Sequence, residues 1–162
     1  MEDGIIETLH TQWRMAKAEY QKRCEAAHFL EAAKRVEECR MFKGTETFPE
    51  LVALFTSPQG IEFCTANSFP SLAALRLFKK EQPEKYGIYI DAGSITLTDP
   101  ECAILIGRTN ATVKCSTCAR HKVVTMHGAA ATILASQWTV VRAIAAPGSS
   151  IIRRTKDYAI IL

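Results

Sequence analysis

The sequence predicts an α+β protein: a helical N-terminal region over about residues 1–85, then a parallel β-solenoid-like region over about residues 86–162. Three observations carry this reading. Residues 3–42 hold no proline and a single glycine, Gly4, among Ala, Glu, Lys, Arg and Gln, which suit a helix. Cap-and-proline signatures recur between residues 47 and 71. Short β-type apolar runs then return about every nine or ten residues, and a fixed short period implies stacked repeats.

In the first segment, Ile6, Leu9, Trp13, Ala16, Tyr20, Ala27 and Leu30 recur at spacings of three and four, with Arg23 interrupting. That is an apolar seam on one helical face. It fits one long helix, or two with a break. A coiled coil is disfavoured because Arg23, Lys34 and Glu37 fall on the strict heptad register. Gly44 ends the segment. Thr47-Phe48-Pro49-Glu50 reads as a capping box, and Ser57-Pro58 and Ser68-Phe69-Pro70-Ser71 as cap-plus-proline starts. Helices are expected over about 49–56, 58–66 and 70–80. The charged stretch Lys79 to Lys85, with Pro83, reads as the link to the β half.

The β runs centre near Ile95, Ile104, Val113, Val123, Ile133, Val140, Ile151 and Ile160. Turn residues separate most of them: Asp99-Pro100, Gly107 to Asn110, Gly128, Pro147-Gly148 and Asp157. Two kinds of run alternate. Ile104-Leu105-Ile106, Val123-Val124, Val140-Val141 and Ile160-Ile161-Leu162 are apolar on both sides; Thr112-Val113-Lys114, Thr132-Ile133-Leu134 and Ile151-Ile152-Arg153 are mixed. Runs of one kind return every 17–20 residues or so, as in a solenoid coil with two main faces. A β-sandwich or jelly roll is the alternative with similar spacing. A doubly apolar strand needs cover, with the N-terminal helices the nearest candidate and a second copy the alternative, and an open coil end offers unpaired backbone. Both features predict a homo-oligomer, with Leu105, Val124, Val141, Ile161 and Leu162 as interface candidates.

The 162 residues carry a net charge of +3, unevenly placed. Residues 1–86 hold 12 Lys/Arg against 13 Asp/Glu; residues 87–162 hold 8 against 4. Only Arg153, Arg154 and Lys156 cluster, so the chain lacks the dense basic stripe of a nucleic-acid binder. The basic far end is instead suited to an acidic protein partner. No apolar run reaches the roughly 18–20 residues of a membrane span, and no signal peptide is evident. A cytoplasmic location follows as the expectation, with the six cysteines reduced.

Four segments carry a resemblance: Gln59-Gly60-Ile61-Glu62-Phe63-Cys64, Phe69-Pro70-Ser71-Leu72, Tyr86-Gly87-Ile88-Tyr89-Ile90-Asp91 and His121-Lys122-Val123-Val124-Thr125-Met126-His127-Gly128-Ala129. Over roughly residues 45–145 the chain resembles an uncharacterised family from gut Bacteroidales and their mobile elements. The resemblance implies a helical part joined to a repetitive β part in a bacterial cytoplasm. It implies no activity and supplies no catalytic residue.

The sharpest local motif is Cys115-Ser116-Thr117-Cys118-Ala119-Arg120-His121. A Cys-x2-Cys knuckle can aim two thiolates at one zinc ion, with His121 as third ligand and His127 or Cys102 as fourth. Structural zinc sites usually bring two such pairs, and here there is one; no other cofactor is suggested. His127, at a turn, is the candidate general base of an acyltransferase-like β-helix enzyme. Such enzymes carry a six-residue repeat that this chain lacks. Phosphate-loop, dinucleotide, HExxH and GxSxG signatures are absent. The sequence therefore points away from an enzyme. It points towards a self-associating scaffold or interaction module, with a zinc-stabilised binding module as a further reading.

Overall fold

The computed structural model describes residues 3–162; residues 1 and 2 of the expected helical region lie outside them. The chain divides into two compact units between Leu77 and Phe78. The sequence placed its boundary near residue 85, whereas the segment after Leu77 forms two 3-10 turns, Phe78–Glu81 and Pro83–Tyr86, that belong to the second unit.

The first unit holds five helices: α1 (Asp3–Ala26), α2 (Leu30–Glu38), α3 (Phe48–Thr56), α4 (Pro58–Asn67) and α5 (Leu72–Leu77). The break after α1 is a Schellman turn. His28 takes the left-handed position (φ 61°), the Phe29 amide donates to the Cys24 carbonyl, and the His28 amide donates to the Glu25 carbonyl. The apolar seam therefore packs only in its first part: Leu9 is buried and Trp13, Ala16 and Tyr20 are half-buried, while Ala27 and Leu30 are exposed. The expected capping box closes, with the Thr47 amide donating to Glu50 Oε2 at 2.7 Å. Ser57 ends α3 and starts α4, its hydroxyl accepting from the Gly60 amide at 3.0 Å. Gln12 of α1 grips the start of α5, its side chain bonding both the amide and the hydroxyl of Ser71 at 3.1 Å.

The second unit is a β-solenoid of roughly four coils with two strands each. Its strands are β1 (Ile88–Ile90), β2 (Gly93–Thr98), β3 (Cys102–Ile106), β4 (Thr109–Cys115), β5 (Arg120–Met126), β6 (Ala130–Ala135), β7 (Val140–Ala145), β8 (Ser150–Thr155) and β9 (Ile160–Ile161). One sheet runs β1-β3-β5-β7-β9 and the other β2-β4-β6-β8. Every pair is parallel, which excludes the sandwich alternative. The first step along the sheet is 16 residues (Ile88 to Ile104); later steps are 20 (Ile104 to Val124, Val124 to Ile144). The doubly apolar runs form the five-stranded sheet and the mixed runs the four-stranded one.

One residue in two faces the interior, in columns that the register fixes. Ala103, Val123 and Ala143 stack in one column, Ala111, Ala131 and Ile151 in a second, and Leu97, Val113, Ile133 and Arg153 in a third. Ala103, Leu105, Val113, Val123, Ile133 and Val141 are fully buried there. Small and large side chains alternate across the columns, which fits a narrow interior. Corners are made by left-handed residues: His127-Gly128, Gln137-Trp138 and Asp157-Tyr158 each place two successive residues at positive φ. Gly87, which enters β1, has φ +74°.

One interior residue breaks the apolar rule. Thr125 is fully buried, and its hydroxyl has no hydrogen-bond partner among the described residues. A buried unsatisfied hydroxyl costs about 1–3 kcal/mol. Thr125→Val keeps the shape and removes the hydroxyl, so its urea midpoint rises by a stabilisation of about 1–3 kcal/mol. An unchanged or lowered midpoint would show that the hydroxyl is satisfied in solution.

Candidate functional site

The Cys-x2-Cys segment turns the corner between β4 and β5, and its two thiols go to opposite sides. Cys115 is the last residue of β4 and faces the interior, in column with Ala135. Burial, and then the charge of Asp99, push its thiol pKa up to about 11. Cys118 is exposed. Two cysteines at this spacing converge on a metal only when the turn itself is the knuckle. Here the interior claims the first one. His121 is buried with both ring nitrogens engaged: Nδ1 lies 2.7 Å from the Pro100 carbonyl oxygen, and Nε2 lies 3.1 Å from Thr117 Oγ1. Because a carbonyl only accepts, Nδ1 carries a proton and donates to Pro100. Cys102 is half-buried. Among the described residues, no three His, Cys, Asp or Glu side chains are grouped as metal ligands.

The polar work of this corner falls to residues between the cysteines. Asp99, in the corner one coil earlier, accepts from the Ser116 amide at 2.6 Å and the Thr117 amide at 3.1 Å, and from the Ser116 hydroxyl at 3.2 Å. The Ser116 amide is the main cause holding the Asp99 carboxyl below its usual range; partial desolvation opposes it. The folded pKa thus lies below the unfolded value of about 3.9. The stabilisation is complete at neutral pH and is lost as pH falls through the unfolded value towards the folded one. Asp99→Asn removes this dependence. Melting curves below about pH 5 should show a shallower acid decline for the variant than for the parent. Parallel declines would show that Asp99 does not brace the coils.

His127 is half-buried in the left-handed corner between β5 and β6 (φ 54°), where the backbone role of a turn residue accounts for its place. The interface candidates separate. Leu105 and Val141 are fully buried in the solenoid interior, so neither has surface to offer a partner; Val124 points the other way and is also buried. Their strands were identified correctly, but the face each side chain takes differs from the expectation. Ile161 packs partly against the interior, while Leu162 is 68% exposed.

Among the solenoid strands and their corners, the exposed large apolar side chains gather on the last coil and the corner before it. Ile152, Ile160 and Leu162 are exposed there, and Trp138 and Tyr158 stack at one corner with ring centroids 4.6 Å apart and planes 16° apart. The pair sits one coil apart in the same left-handed turn, which explains the near-parallel rings. Arg153 occupies the interior column above Ile133 and is exposed, with its Nη2 donating to the Ala143 carbonyl oxygen of the facing sheet at 3.3 Å. A guanidinium thus lies across the coil where Val113 and Ile133 lie in the coils before it. Sequence reasoning counted Arg153 only as part of a basic cluster. The signal that finds it is the 20-residue register.

The helical unit carries an open groove of about 600 Å³, lined by His10, Trp13, Arg14, Lys17, Arg40 and Lys43 among others. Its central cation is already employed. Lys17 Nζ donates to the carbonyls of Glu37 and Cys39 at 2.8 and 2.9 Å and lies 5.1 Å from the centre of the Trp13 ring. These contacts fasten the end of α2 to α1. No described helix is long and apolar enough to cross a membrane. No family model, curated protein or solved structure matches the chain.

Proposed function

We propose that this protein is a non-enzymatic, self-associating scaffold of the bacterial cytoplasm, joined to copies of itself through the ends of its solenoid. One observation carries the reading. The four-stranded sheet ends on both sides in an exposed strand, β2 and β8, each with one edge that no strand among the described residues covers. Free strand edges recruit further strands, and monomers normally blunt or cover them. The exposed Ile152, Ile160 and Leu162, with the Trp138–Tyr158 pair, add apolar area at the β8 end. Aromatic side chains that stand out from a surface in this way are favoured at association sites.

The test is native mass spectrometry of the untagged chain, with sedimentation over a range of concentrations. Multimers of the 18.0 kDa chain, formed without metal or substrate, are the expected result. A single mass of 18.0 kDa at every concentration would overturn the scaffold reading. One zinc per chain in the same spectra would move the functional centre to the corner around Cys118 and His121.

A further inference from the structure

We infer that the copies stack head to tail, the basic last coil of one chain against the acidic first coil of the next. This rests on the self-association reading and gives it a direction. Between Gly87 and Gly107 the chain carries Asp91, Asp99 and Glu101 and no lysine or arginine. Between Ala143 and Leu162 it carries Arg153, Arg154 and Lys156 against Asp157 alone. The solenoid is therefore charged with opposite sign at its two ends.

The opposite charges share a corner. Asp99-Pro100-Glu101 joins β2 to β3, and Lys156 to Ala159 joins β8 to β9. Both lie on the corner that residues 116–119 and 136–139 occupy in the coils between, as the strand registers require. A copy added beyond β8 brings its own exposed Glu101 to the corner beside Arg153, Arg154 and Lys156, while its Asp99 stays turned to the Ser116 and Thr117 amides of its own next coil. It also brings Pro100 to the corner where the Tyr158 ring is exposed.

The sheets point the same way. All pairs within the solenoid are parallel, so β2 of a following copy continues the sheet beyond β8 with the existing geometry. Ile95 and Leu97, half-buried on β2, then meet Ile151 and the aliphatic stem of Arg153 in the interior columns. The alternative is a two-fold contact between two β8 edges. It would oppose Arg153 and Arg154 of both copies, and like charges directly across a strand pair are destabilising. An inward-pointing charge blunts an edge against strand addition in general. Here the net acidic first coil offsets it, and another basic last coil does not. A head-to-tail contact uses two different surfaces, so each copy added exposes a fresh one.

Two edge-blocked variants test this. The Gly93 and Asp99 amides donate to β4, so the Thr96 amide points to the open side; the Ser150 and Lys156 amides donate to β6, so the Thr155 amide does likewise. Thr96→Pro and Thr155→Pro thus remove no bond inside the sheet and block one end each. Each variant alone should be a monomer in native mass spectra, and an equal mixture should give a dimer and nothing larger. Wild-type assemblies should shrink as salt is raised, because opposite charges are being screened. A dimer from Thr96→Pro alone would mean pairing of like ends and would overturn the polarity while leaving self-association intact. Assembly of the wild type without any complex in the mixture would overturn it as well. A monomeric wild type would instead overturn the reading beneath it. Should either proline variant fail to melt cooperatively, Glu101→Lys replaces the first. The double change Arg153→Ala with Arg154→Ala replaces the second. Both alter exposed side chains, with the same outcomes expected.

Discussion

Truncating Ile133 to alanine lowers the stability of the solenoid by about 2–5 kcal/mol. Ile133 is fully buried at the centre of β6, in the column between Val113 and Arg153. The cost of such a truncation depends on how far the surroundings collapse into the space. Here they collapse little. The interior neighbours along β6 are Ala131 and Ala135, which have no side chain to swing inward. The strands on either side are held about 4.8 Å away by the hydrogen-bond ladder. The cavity therefore persists, and the loss falls in the upper half of the range. Urea unfolding followed by circular dichroism measures it. A loss below about 1 kcal/mol would mean that the interior repacks more freely than its alanine columns allow.

Gly87→Ala has a comparable effect for a different reason. Residue 87 has φ +74°, where an L side chain costs about 1–2 kcal/mol. Its Cβ would also fall inside the van der Waals contact distance of the Cys102 carbonyl oxygen. That oxygen belongs to β3, which is paired on both sides and cannot give way without disturbing two ladders. The strain and the clash together should cost about 3 kcal/mol or more. The Gly87 carbonyl accepts the Ile104 amide at 2.8 Å, so that amide reports the damage directly. Its hydrogen exchange should accelerate at least as much as the global stability falls. Unchanged protection at Ile104 would sink the argument.

The period of the β runs made the solenoid legible, because successive coils bring like residues into the same column. The contrast between doubly apolar and mixed runs separated the two sheets for the same reason. Helices α3 and α4 were legible from their caps: expected over 49–56 and 58–66, they run Phe48–Thr56 and Pro58–Asn67. A break in the first segment was one of two readings, but its place was not legible, because His28 fills a left-handed position that usually announces itself as glycine. The expected helix over 70–80 shortens to Leu72–Leu77, with Phe78–Glu81 tightening into a 3-10 turn.

At the candidate site, column position tells what residue type alone does not. Cys115 looked like half of a metal knuckle, yet it stands in column with Ala135 and Thr155. Leu105 and Val141 were drawn from strands apolar on both faces, and in such strands alternation gives no clue to which face is inside. Their column mates do: Thr125 stands above Leu105, and His121 stands below Val141, each buried with it.

The 20-residue step of the coils after the first also makes the solenoid a ruler with discrete marks. Each coil advances the axis by one strand spacing, about 4.8 Å. Val123 and Ala143 hold equivalent places in successive coils. Excising residues 123–142 would therefore join Lys122 to Ala143 with every inward column still inward and the length shorter by one mark. The 16-residue first coil keeps its columns as well, so coils differ in length at their corners while the strands hold register. Lineages of this protein can change its reach only in whole coils, and the distance between its two ends is inherited as a count.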